Sequence, residues 1–224
     1  MNGKLIVIEG LDGCGKTTQT ALLAERLARA GIAVRTVSFP DYQSPASAPL
    51  RMYLGGELGD DPGDVNAYAA SSFFAVDRYA SYMTGWREDM ENGAVVIANR
   101  YTTANAYHQM CKLPREQWDG FMSWLFDYEY GRLGLPEPDL VLLLHMEVAA
   151  SSALLSARYG GDESRRDIHE RSADYQRSAE ECALYAARSC GWRTVECSEG
   201  GKPLPREEIS GRIWAAVEEY LNSI

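Results

Sequence analysis

Short unbroken apolar runs alternate along this chain with longer segments whose apolar residues recur every three or four positions. βαβ units produce that alternation, because a strand buried on both faces carries no polar alternation while the crossover helix keeps one wet face. The runs KLIVIEG (4–10), AVRTVSF (33–39), AVVIAN (94–99), DLVLLLH (139–145) and WRTVEC (192–197) read as strands of a buried parallel sheet. The clearest helix is 16–31, where Ala21, Leu22, Ala24, Leu27 and Ala28 share a stripe and Gly31 supplies a stop. Further helices are expected over about 46–55, 64–91, 115–133, 147–158, 168–190 and 205–222, with loops at 54–64 and 158–167.

At 224 residues the expectation is a single α/β domain spanning 1–224. The 32 acidic and 22 basic residues leave a formal charge of −10, which repels polyanions, so no nucleic-acid partner is expected. Cys14, Cys111, Cys182, Cys190 and Cys197 are scattered, without metal-ligand spacing, as expected of reduced thiols in a cytoplasm. The apolar run before Glu9 is too short for a signal peptide. No stretch approaches the roughly 18 apolar residues of a membrane span, so a soluble, cytoplasmic protein with no membrane partner is expected.

Chemistry enters with GLDGCGKT, which fits G-x-x-x-x-G-K-[ST] between a strand and an amphipathic helix. In such a P-loop the backbone N–H groups of Gly10, Leu11, Asp12, Gly13, Cys14, Gly15, Lys16, Thr17 and Thr18 turn toward phosphate oxygens at a helix N-terminus. Lys16 is expected to bridge the β- and γ-phosphates of ATP, and the Thr17 hydroxyl to reach Mg²⁺. Cys14 reads as a small side chain that fits the loop. No guanine-reading N-K-x-D stretch occurs, which disfavours a regulatory GTPase, and a small-molecule kinase fits better.

The remaining unusual residues form a set. SFPDY ends the second strand, FFAVDRY lies in a long helix and NRYTTAN follows the third strand. Strand ends at the carboxyl edge of a parallel sheet converge on one crevice, so Tyr42 and Arg100 can meet one ligand. Phe74 and Arg78, four residues apart, project from one helix side and could stack a base and bond its carbonyl edge. Taken alone, such a pair is more often a core aromatic beside a surface ion pair.

The combination IVIEGLDGCGKTTQT, SFPDY, FFAVDRYAS, NRYTTANAYHQ and LGLPEPDLVLLL, dispersed over nearly the whole chain, resembles the thymidylate kinases, which move the γ-phosphate of ATP to dTMP. The resemblance implies a P-loop NTPase-like, doubly wound, five-stranded parallel sheet flanked by helices, Mg²⁺ dependence, a homodimer and a short arginine-bearing lid at about 156–168. It also implies residue roles. Phe74 would stack on thymine, Arg78 would donate to its O4 and Asn105 would bond the pyrimidine. Arg100 and Tyr42 would hold the acceptor phosphate, Phe39 and Pro40 would shape the wall, and Asp12 would contact the deoxyribose 3′-hydroxyl. Position 13 of this P-loop is Gly rather than Arg, so Arg158, Arg165 and Arg166 become the catalytic candidates of the lid.

Three departures from the family pattern stand out. Asn99 occupies a position typically Asp, which is expected to weaken metal binding and to leave Arg100 without an adjacent anion. His145 ends the fourth strand where many members have Asp, and His108 stands near a position that in some members is a tyrosine guarding against a ribose 2′-hydroxyl. His169 and Glu170 follow the lid, where an aromatic residue and an acid are common. Rival readings at this point are a kinase of another nucleoside monophosphate or deoxynucleoside, and a nucleotide-binding protein without turnover, the latter favoured by Asn99 alone.

Overall fold

Strand β1 (Lys4–Glu9) is buried at five of its six positions, which is why its sequence runs apolar without alternation. The computed structural model describes residues 3–159, 169 and 173–223. β1 pairs in parallel with β3 (Val95–Asn99) and β4 (Leu140–His145), and β2 (Val34–Ser38) and β5 (Arg193–Glu196) form the edges, in the order β2-β3-β1-β4-β5. The five-stranded parallel sheet expected from the sequence is therefore present. Its register aligns Ile8 and Ser38 with Asn99, bringing the carboxyl ends of β1, β2 and β3 to one edge.

Alternate residues of β1 feed opposite layers. Ile6 and Ile8 pack with Leu23 and Leu27 of α1 (Lys16–Arg29) and with Ile209, Ile213 and Val217 of α9 (Arg206–Asn222). Leu5 and Val7 pack on the other face with Val96, Ala98, Trp86 and Tyr101. Each fully buried Leu, Ile or Val among them contributes about 1.5–3 kcal/mol. A third cluster joins α5 (Thr102–His108), α6 (Trp118–Phe126) and α8 (Ala173–Cys190) through Tyr107, Phe121, Leu125 and Cys182. The remaining helices are α2 (Ala48–Leu54), α3 (Ala67–Ser81), α4 (Arg87–Glu91) and α7 (Val148–Tyr159), and a small antiparallel pair joins β6 (Ser198–Glu199) to β7 (Lys202–Pro203).

Two expected helices are interrupted. The 64–91 segment breaks after α3 at a π-helical turn, Tyr82–Trp86, which turns Trp86 into the core against Tyr82 and Tyr101. The 115–133 segment ends in a second π-helical turn, Asp127–Arg132, whose buried residue is Glu129. Helix α5 has no counterpart in the sequence reading. All seven of its residues are buried, so it carries no amphipathic stripe to detect. Among the described residues no helix is long and apolar enough to cross a membrane, and the five cysteines are free.

Candidate active site

The loop between β1 and α1 is shaped for close approach. Gly10 has φ +145°, and a Cβ there would come within 2.6 Å of both Cys14 Sγ and the Leu144 carbonyl oxygen. Gly13 has φ +82° and would press a Cβ to 2.6 Å from the Ser151 carbonyl oxygen. Only glycine suits these positions. Lys16 folds across the loop and donates from Nζ to the Gly10 and Leu11 carbonyls at 2.9 and 2.8 Å. Burial, reinforced by the nearby Arg100 cation, lowers the Lys16 pKa. Thr17 is exposed at the start of α1.

Asn99, at the end of β3, reaches this loop. Its Nδ2 donates to Thr17 Oγ1 at 3.3 Å and to Ser38 Oγ at 3.1 Å, while its buried Oδ1 has no partner among the described residues. Arg100 then takes φ +65°, a left-handed conformation that costs a non-glycine residue about 1–3 kcal/mol. A network holds it there. Arg100 donates to Asp12 Oδ1 at 2.6 Å, to Tyr107 Oη at 2.9 Å and to His108 Nε2 at 2.8 Å. The expectation that Arg100 lacks an adjacent anion is thus corrected, because Asp12 of the P-loop supplies one. Burial by itself would raise the Asp12 pKa, but Arg100 and then Lys16 hold it well below the usual carboxylate range. Since a guanidinium only donates, His108 accepts at Nε2 and is neutral, and burial with the Arg100 charge pushes its pKa well down.

Glu9, which the sequence reading passed over as the last residue of a strand, anchors the same network. Its Oε1 accepts from the Tyr101 backbone N–H at 2.9 Å and from Thr103 Oγ1 at 2.6 Å, and its Oε2 accepts from Tyr107 Oη at 2.8 Å. Tyr107 Oη also receives the Gly10 N–H at 3.3 Å. P-loop, Arg100 turn and α5 are therefore one hydrogen-bonded unit.

Beside this unit lies a cleft whose walls include Asp12, Phe39, Pro40, Tyr42, Phe74, Arg78, Arg100 and Asn105. The substrate-binding candidates from the sequence are all brought together there, and Tyr42 at 49 % exposure stands at the mouth. Arg78 differs from the surface pair that its spacing alone suggests. Both Arg78 and its partner Glu129 are buried, with Nε–Oε2 at 2.7 Å and Nη2–Oε1 at 2.5 Å. Removing one member of such a pair costs about 3–5 kcal/mol, because the other charge is left stranded. No short motif marks Glu129, and the signal that could have found it is an acid set between two tyrosines in the aromatic-rich stretch WLFDYEY, which also carries Asp127.

The far wall is built from rings. His108 and His169 stack at 5.4 Å between centroids, and His169 stacks on Tyr175 at 4.6 Å. His169 Nε2 lies 2.8 Å from Tyr53 Oη, which receives a hydrogen bond from Lys112 Nζ at 2.7 Å. Burial, then Lys112, pushes the His169 pKa down to about 3, while burial lowers Lys112 to about 8. His145 is remote from these walls and bridges Glu196 at 2.7 Å and Glu180 at 3.1 Å. Burial opposes its charge, but those carboxylates raise its pKa overall. Arg165, Arg166 and Glu170, with the side chain of Arg158, lie outside the described residues.

The geometry can be set beside known proteins. The family model described as Thymidylate kinase matches residues 8–204. The thymidylate kinase of Mycobacterium tuberculosis (strain ATCC 25618 / H37Rv) is 36 % identical over 192 residues, 84 % of this chain and 87 % of that one. The Homo sapiens thymidylate kinase is 27 % identical over 202 residues, 88 % and 84 % of the two chains. Among solved structures, Candida albicans thymidylate kinase superimposes with a TM-score of 0.70 at 22 % identity, covering 99 % of this chain and 93 % of the other. Sheet order, P-loop and adjoining cleft define a P-loop nucleoside monophosphate kinase. The chain belongs to the thymidylate kinase family.

Proposed function

We propose that the chain phosphorylates dTMP in the cleft beside its P-loop, transferring the γ-phosphoryl of ATP to give dTDP and ADP. The observation that carries the reading is the convergence of Asp12, Tyr42, Phe74, Arg78, Arg100 and Asn105 on one cleft. Phe74 offers a stacking face, Arg78 and Asn105 address the base edge, and Phe39 and Pro40 form the wall. Arg100 and Tyr42 would hold the acceptor phosphate, and Asp12 the deoxyribose 3′-hydroxyl. The P-loop amides and Lys16 would hold the donor phosphates, so catalysis is positioning and charge neutralisation with little covalent participation by the protein. The lid arginines Arg158, Arg165 and Arg166 complete the proposed catalytic set.

The residues present suit a magnesium ion. The exposed Thr17 hydroxyl and the unpartnered Asn99 Oδ1 are oxygen donors at the carboxyl edge beside a loop shaped for phosphates. Mg²⁺ bound there would neutralise charge on the phosphates. An amide at position 99 keeps the shape of aspartate and loses its charge, so Asn99→Asp is expected to lower the Mg²⁺ concentration for half-maximal rate severalfold, with dTMP affinity little changed. Coincident Mg²⁺ titrations of the two proteins would remove residue 99 from the metal. A parent without turnover, recovered by Asn99→Asp, would favour a binding protein.

A single kinase domain, cytoplasmic location and a homodimer belong to the same proposal. Tyr68, Val76, Tyr79 and Met83 are exposed and spaced along one stripe of α3 and the following turn, an apolar face suited to a second copy. The acceptor assignment is tested by coupled ADP release over a panel of nucleoside monophosphates. dTMP should exceed dCMP and dGMP by about 10²-fold or more in kcat/KM and dUMP only modestly, because an unpaired polar contact costs far more than a missing methyl group. Equal rates on dTMP and dCMP would remove the cleft assignment.

A further inference from the structure

Glu129 lies behind the cleft wall with four donors on its two carboxylate oxygens. Oε1 accepts from Arg78 Nη2 at 2.5 Å and Asn105 Nδ2 at 3.4 Å, and Oε2 accepts from Arg78 Nε at 2.7 Å and Thr102 Oγ1 at 2.8 Å. That is the full acceptor capacity of a carboxylate. The arrangement has two consequences for the cleft side. Arg78 commits one edge of its guanidinium to Glu129, and its Nη1 has no acceptor among the described residues. Asn105 turns its nitrogen toward Glu129 and the Ser71 carbonyl, both at 3.4 Å, which leaves its oxygen end for a ligand.

We infer that Glu129 is the positioning residue behind base selectivity, fixing Arg78 as donor and Asn105 as acceptor toward a pyrimidine with a 4-carbonyl and an N3 hydrogen. This deepens the proposed function and rests on its cleft assignment. Cytosine presents the opposite pair, an amino group at position 4 and a bare N3, so it meets donor against donor and acceptor against acceptor. Glutamine at position 129 would keep the volume but turn an NH₂ toward groups that are themselves donors. Arg78 then loses its fixed edge, and Asn105 loses one of the two acceptors that set its orientation.

The test is steady-state kinetics of Glu129→Gln on dTMP and dCMP, with thermal unfolding recorded alongside. The expected result is a dTMP KM raised about 10-fold and a dTMP-to-dCMP ratio of kcat/KM contracted at least 10-fold, with kcat and the ATP KM within about threefold of the parent. A merely structural role would lower the rates on both acceptors alike and leave their ratio unchanged, which overturns the inference. A parent enzyme that does not distinguish dTMP from dCMP would overturn the cleft assignment instead. Should Glu129→Gln not fold, Glu129→Asp carries the test. It retains the charge but withdraws it from Arg78, so a contracted ratio supports the inference and an unchanged one overturns it.

Discussion

Lys16→Ala is expected to lower kcat by about 10²–10³-fold, the loss that follows removal of one preorganised charge donor at a transferring group. Lys16 Nζ is already stationed inside the loop on the Gly10 and Leu11 carbonyls, so it can turn to the phosphates without being recruited from solvent. Burial and the Arg100 charge both disfavour the ammonium in the folded chain, as its lowered pKa records. Deleting it should therefore leave the fold in place, and thermal unfolding should shift little. Lys16→Arg should not restore the rate, since a planar guanidinium does not fit a loop closed by Gly10 and Gly13. Single-turnover rates at saturating ATP and dTMP decide the matter. A parent-like rate in Lys16→Ala would mean that the loop does not hold the transferred phosphate.

The sheet was legible because parallel strands buried on both faces cannot hide their apolar runs, and β1 and β4 read from sequence within a residue of their structural limits. The P-loop was legible because Gly10, Gly15, Lys16 and Thr17 keep a fixed spacing set by backbone geometry. Helix α5 was not, since Thr102–His108 is buried all round and rich in weak helix formers. Its stability comes from tertiary contacts, with Glu9 receiving the Tyr101 N–H and the Thr103 hydroxyl. Glu129 was invisible for a related reason. Its role depends on a π-helical turn that points it inward and on a partner 51 positions away in the chain, neither of which leaves a local pattern. Arg100 was found as a candidate, but its pairing with Asp12 depends on a left-handed turn that a non-glycine residue rarely adopts.

Arg100→Ala is expected to lower kcat/KM for dTMP by about 10²–10³-fold while changing the ATP KM far less. The guanidinium faces the cleft and is held by Asp12, Tyr107 and His108, so an acceptor phosphate bound as proposed would meet a preoriented cation. Removing it does more than delete that cation, because Asp12 then stays ionised beside the incoming phosphate and repels it. Arg100→Lys should recover little, since one ammonium on a flexible stem cannot satisfy three partners set around a planar fork. The same substitution should show in acid stability. In the parent, Asp12 has a folded pKa well below its ordinary 3.8, so its contribution to stability is present above that value and is lost as pH falls through the depressed folded value. Without Arg100 the main lowering influence is gone while burial still raises the pKa, so the contribution shrinks and is lost at a higher pH. Acid unfolding followed by circular dichroism from pH 7 to about pH 2 should therefore begin earlier in Arg100→Ala than in the parent. An earlier acid transition with unchanged dTMP kinetics would leave Arg100 a brace for the P-loop and take the acceptor phosphate elsewhere, whereas loss of both together is what a shared cation for Asp12 and substrate requires.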